Sequence, residues 1–164
     1  MMDASAPQWL VALEASGVGA AIRQSPLLYP AANVAHVVGV AGFAGAVAVL
    51  DLLLLGVIRA HERFRLALAA RRFAVGFLAL VVATGLMLFV AEASHVALNP
   101  LFLVKMALLV LAGVNAFLIA GPAMDRLALI EDSQPVSRRL RVSAGLSIFV
   151  WLTIVGLGRA IAYY

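Results

Sequence analysis

The chain has 164 residues, of which 65% are hydrophobic and only 12% charged, with twelve Lys and Arg against eight Asp and Glu. Soluble domains carry roughly 25% charged residues, so this composition and a mean hydropathy of +1.07 exclude a soluble fold and leave room for one compact membrane bundle. The absence of Cys excludes disulfides, thiolate metal centres, iron–sulfur clusters and covalently attached c-type haem.

The net charge of +4 is not a nucleic-acid signal. Nine of the twelve basic residues fall in two loops, as the bias of membrane proteins toward cytoplasmic Lys and Arg requires. The opening MMDASAPQWL has no Lys or Arg ahead of its first apolar residues, unlike the positive start of a cleaved secretory signal.

Residues 1–27 form an N-terminal segment in which Trp9, Leu10, Leu13, Val18 and Ile22 are too interrupted by small and polar residues to span. They predict a short interfacial helix with Trp9 at headgroup level, or a surface helix packed on the mouth of the bundle. Residues 28–164 predict an all-α integral membrane four-helix bundle. Its first span is about 30–58, almost wholly apolar apart from Asn33, His36 and Asp51. A bilayer needs roughly 20 such residues.

The stretch 59–72, RAHERFRLALAARR, holds five Arg, Glu62 and His61, and is placed in the cytoplasm. The second span, about 73–97, carries Thr84-Gly85 at mid-depth, and SHVALNP follows with His95. The third, about 101–120, contains Lys105, Met106 and Asn115 and ends at Gly121-Pro122. A second polar loop, 123–141, has Arg126, Arg138, Arg139 and Arg141 against Asp125, Glu131 and Asp132. The last span, about 142–161, contains Trp151 and Arg159 and leads to Tyr163-Tyr164. Both polar loops inside puts both termini outside, in the periplasm of a bacterium whose inner membrane holds this multi-pass chain.

A polar side chain at membrane depth costs about 2.5–3.5 kcal/mol on insertion scales, which makes each a functional-site candidate. Counting from Arg59 to His36 and from Arg72 to His95 gives 23 residues each, or roughly 34 Å of rise. This predicts the two histidines at one height near the outer face, provided the second helix continues to His95. Lys105 and Arg159 join that layer, with Glu92 one turn before His95. Asp51, Asn115 and Thr84 are expected deeper, with Asp51 bonded to Asn115 or Thr84 or snorkelling inward.

Three functions compete for this layer. In the first, His36 and His95 are the axial ligands of one haem b, Gly39 leaves room for the ring edge, and Lys105 and Arg159 pair with the propionates. That protein transfers single electrons to a periplasmic redox protein or quinone. In the second, imidazoles and the Met106 thioether hold copper, with Met87 further away. In the third, a non-catalytic subunit of a larger complex or a homo-oligomer, His36 bonds a neighbouring backbone carbonyl while Lys105 and Arg159 snorkel outward. No phosphate loop, zinc-protease pair or Ser-His-Asp set is present in the sequence. Asp51 is a proton-relay candidate, and Trp151 is expected to pack.

The succession SPLLYP (25–30), HVVG (36–39), DLLLLG (51–56), TGLMLF (84–89), NPLFLVKMALL (99–109), NAF (115–117) and GRAIAYY (158–164) resembles a family of small, uncharacterised bacterial inner-membrane proteins with four spans. The resemblance implies the fold and location above, and no reaction. It also implies D-L-R-L-L-G where this chain has Leu53, so an Asp51–Arg pair is lost here. In architecture alone the chain is similar to four-helix b-type membrane cytochromes and to the membrane domain of copper-resistance D proteins.

Overall fold

The computed structural model describes residues 6–58, 62–122 and 136–160, with backbone alone for 118–120. Arg59, His61, Asp125, Arg126, Glu131, Asp132, Tyr163 and Tyr164 lie outside the described residues. The elements are α1 (Gln8–Glu14), α2 (Gly17–Gln24), α3 (Leu28–Leu55), α4 (Arg63–Ala91), α5 (Ala93–Val96), α6 (Pro100–Val114) with a π-helical extension Asn115–Ala120, and α7 (Arg138–Ala160).

Among the described residues, four helices are long and apolar enough to cross a membrane: Leu28–Leu55, Arg63–Ala91, Pro100–Phe117 and Arg138–Ala160. Their apolar residues are distributed all round the axis, as in a helix surrounded by lipid and neighbours rather than by water. Large side chains face outward, among them Val34, Phe73, Phe117, Phe149 and Leu152, each more than 60% exposed. The interior combines large residues such as Phe43, Leu53, Phe64, Leu140 and Ile154 with small ones, including Ala32, Ala67, Ala70, Ala74, Ala112 and Ala144, and with Asp51, Thr84, Asn115 and Ser143. Small residues let backbones approach where lipid supplies no hydrophobic drive to pack.

Packing runs α4 on α3, α3 on α7, and α7 on α6. Leu53 and Leu54 of α3 meet Ala67 of α4 and Leu140 and Ala144 of α7 at the basic end. Mid-bundle, the Phe43 ring meets Trp151 edge-on with centroids 4.4 Å apart, a pairing worth about 0.5–1.5 kcal/mol beyond area. Across the remaining seam, Phe89 of α4 stacks on Phe102 of α6 at 5.7 Å. Trp151 is therefore a packing residue, as its sequence suggests.

Local signals fix the helix ends. Gly56 at φ 79° closes α3, with its N–H donating to Leu53 O at 3.1 Å and the Val57 N–H to Leu52 O at 3.0 Å. This left-handed cap is one that glycine adopts without Cβ strain. Asn99 caps α6 by accepting from the Leu101 N–H at 2.9 Å, with Pro100 in the first turn.

The second long helix differs from its sequence expectation at both ends. It starts at Arg63, so Arg71 and Arg72 lie about two turns inside it, and it stops at Ala91 rather than continuing to His95. Glu92 leaves helical geometry (φ −138°, ψ 35°), and His95 belongs to the separate α5. No Gly or Pro causes this break. The N-terminal segment satisfies the groups it exposes. Arg23 of α2 donates to Ala91 O at 2.7 Å, and the Glu14 carboxylate of α1 accepts from the Ser94 N–H at 2.9 Å and from the Ser94 hydroxyl. A cation on the last carbonyls of one helix and an anion on the first N–H groups of the next are favourable partners. Leu10 and Ile22 are buried, so α1 and α2 pack on the bundle mouth, while Trp9 remains 64% exposed.

Candidate functional site

His36 sits in the first third of α3 and faces α4. Its Nδ1 lies 3.0 Å from Thr84 Oγ1. The threonine hydroxyl also lies 2.7 Å from Leu80 O, one turn back. A hydroxyl has one proton, and the short contact commits it to Leu80. Thr84 is thus placed to accept from His36 Nδ1–H, and the ring also donates to the backbone carbonyl of Val81 on α4, the kind of partner expected in the third reading. Thr84 is itself buried, so a hydroxyl of no other use to an apolar helix is held where it fixes the imidazole. Gly85 makes the ring's place: a Cβ there would stand 3.1 Å from His36 Cε1.

Lys105, on α6, extends into the same level. It is half-buried, comes within electrostatic reach of His36, and lies against α7 at Gly158, where an added Cβ would stand 3.4 Å from Nζ. Lys105 makes no ion pair among the described residues. Arg159 follows Gly158 and is exposed on α7. Four helices thus contribute His36, Thr84-Gly85, Lys105 and Gly158-Arg159 to one layer, and among the described residues no acidic side chain is bonded within it.

His95 is not in this layer. Thr84, not His95, is level with His36, and His95 lies eleven residues further along the chain, about 16 Å of helical rise. It is exposed, on the far side of the Glu92 break, and its electrostatic partner is Glu14. The structure thus brings Thr84, and not His95, to His36. Gly39 also has another role: a Cβ there would stand 3.0 Å from Val81 Cγ2 and 3.4 Å from Leu80, so it seats α3 on α4 and leaves no slot for a ring edge. Met106 is 43% exposed on α6. No cluster of three or more His, Asp or Glu able to hold a metal occurs among the described residues.

The remaining polar residues also find other partners than those expected. Glu92 accepts from Tyr29 Oη at 2.9 Å. Asn115 exchanges two bonds with Ser143 of α7: the Ser143 hydroxyl donates to Oδ1 at 2.8 Å, and Nδ2 donates to Ser143 O at 3.2 Å. Asp51 therefore has neither Asn115 nor Thr84, and faces Ser147 of α7. Thr84-Gly85 and Gly158 open the stretches TGLMLF and GRAIAYY, but nothing in the sequence ties them to His36 or Lys105, and Ser147 carries no motif. Only the sequence TG at mid-span hints at the first two.

No curated protein and no solved structure matches the chain. A model of the family of unknown function DUF6644 matches residues 15–164.

Proposed function

The chain belongs to the DUF6644 family, and from its own geometry we propose that it is a transmembrane binding protein of the electron-transfer apparatus. Its His36–Lys105 layer takes the oxygen-bearing head of a lipid-soluble ligand of the quinone class. The observation that carries this reading is a basic layer inside a four-helix bundle, in which Thr84 orients the His36 imidazole and, among the described residues, the half-buried Lys105 ammonium has no acid paired with it. An intramembrane cation is costly and is kept where it lines a site. Nε2 accepts from a ligand hydroxyl, Lys105 donates to a ligand oxygen, and the apolar tail stays in the bilayer. The bias of basic loops toward the cytoplasm puts this layer near the periplasmic face of a bacterial inner membrane, with both termini outside.

A second reading keeps haem b, with His36 as the single axial ligand from this chain and Lys105 and Arg159 for the propionates. It is favoured by the Thr84 bond, since a metal-binding imidazole is usually oriented by a partner on its other nitrogen.

A visible spectrum of detergent-purified protein separates the two. A Soret band that shifts on dithionite reduction and disappears in His36→Ala selects haem. A colourless protein whose tryptophan fluorescence is quenched saturably by a short-chain benzoquinone selects the quinone site, and Lys105→Met must weaken that quenching. A colourless protein with no saturable quenching refutes both and leaves a structural or assembly subunit.

A further inference from the structure

We propose that Asp51 is a proton-binding site, a carboxylic acid that is neutral in the folded bundle and exchanges its proton from the basic half of the membrane. Asp51 is 4% exposed, and its Oδ2 has no hydrogen-bond partner. It sits fifteen residues beyond His36 on α3, about 22 Å of rise away, so it belongs to another level of the bundle. Leu53 and Leu54 beside it are buried in the tightest cluster of the core, with Ala67 and Ala144.

The groups that face Asp51 decide its charge state. From α7, only the neutral hydroxyl of Ser147 approaches it. Asn115 and Ser143, one turn away on the α6–α7 interface, satisfy each other. No hydrogen bond or ion pair joins Asp51 to a charged side chain of α4 or α7 among the described residues. On α4 the nearest cations in register are Arg71, whose guanidinium reaches toward Gly121 of the π-helical extension, and Arg72; neither acts on Asp51. Among the described residues an ionised carboxylate here therefore has no bonded counter-charge and loses its hydration, and such groups take up a proton instead. A small metal cation is the other way to neutralise it, but hard cations want about six oxygens. Here the carboxyl and one hydroxyl are the donors in place.

The test uses dicyclohexylcarbodiimide, a lipid-soluble reagent that attacks protonated carboxyl groups, on the full chain in detergent, with the label located by peptide mass. The expected result is modification at Asp51 that declines as pH rises, persists in Asp51→Glu, vanishes in Asp51→Asn and is unaffected by sodium. Infrared spectra of the unlabelled wild type give a second, independent measure: a protonated-carboxyl C=O band at neutral pH that is absent in Asp51→Asn. An unlabelled Asp51 in folded protein with no such band overturns the proposal. So does protection by sodium, which would make Asp51 a cation ligand.

Discussion

His36 and Thr84 lock each other. The imidazole Nδ1 stands 3.0 Å from the threonine oxygen, while the threonine proton goes to Leu80 O at 2.7 Å. Each half of this arrangement fixes the other: the ring tautomer depends on the hydroxyl, and the hydroxyl is tolerated at 6% exposure because both of its roles are filled. Thr84→Val keeps the shape and removes the acceptor. The expected cost is about 1–3 kcal/mol, the penalty for stranding a donor away from water. It is read as a lower unfolding midpoint in detergent, with weakened ligand quenching. If Thr84→Ser restores the wild-type midpoint while Thr84→Val matches it too, the bond contributes nothing.

The glycines of this bundle divide by what an added methyl meets. Gly85→Ala sets a Cβ 3.1 Å from His36 Cε1, so the ring must yield by a few tenths of an ångström, whereas Gly45 has open space around it. Gly45→Ala is expected to stabilise by about 0.5–1 kcal/mol through backbone entropy alone. Gly85→Ala forgoes that gain and perturbs the His36 site. Thermal midpoints of the pair, together with the imidazole NMR shifts of His36, check both statements. Equal midpoints with unmoved imidazole shifts would show that Gly85 does not shape the site.

The four spans were legible because they follow from apolar run length, whereas the left-handed Gly56 cap that ends α3 was not read from the sequence. Nor was the depth of side chains. Counting inward from Arg59 and Arg72 assumed both lay at one membrane boundary. Hydrogen bonding places Thr84 opposite His36, so the counts started about eleven residues out of register. Arg72 is inside α4 rather than at its start. An arginine two turns into a helix snorkels along its own long side chain to reach the boundary, which hides the true helix start. The Glu92 break was equally invisible, because the groups that satisfy its freed backbone, Glu14 and Arg23, come from about 70 to 80 residues earlier in the chain. Lys105 was recognised as an interior cation because it interrupts an apolar run, and that signal is local.

The Asn115–Ser143 pair predicts non-additive behaviour. Ser143→Ala strands both polar groups of a buried amide, and Asn115→Leu strands a buried hydroxyl. Each single change is expected to cost about 1–3 kcal/mol. The double variant removes both partners and is expected to cost less than the sum of the two. A double-mutant cycle on unfolding free energy measures the coupling, and simple additivity would show that the two bonds make no joint contribution.

Acid is expected to loosen the N-terminal helices from the bundle mouth. The Ser94 hydroxyl and N–H hold the Glu14 carboxyl below its ordinary value of 4.5, with further help from Arg23 and His95. A carboxylate whose pKa is depressed by folding contributes stability that is complete above its unfolded pKa and disappears as pH falls through the folded value. The loss therefore begins just under pH 4.5 and finishes below the depressed native value. Since the Glu14 side chain is partly exposed, at 26%, salt adds to the effect of acid. Release of α1 also removes the anion from the start of α5, while Arg23 keeps its bond to Ala91 O. The break at Glu92 should then fray on the α5 side first. Hydrogen exchange at Ser94 reports this directly: protection falls in acid for the wild type, is already low at neutral pH in Glu14→Ala, and is independent of acid in Glu14→Gln, which keeps an acceptor oxygen without the titration. Acid-sensitive exchange in Glu14→Gln would assign the effect to another group.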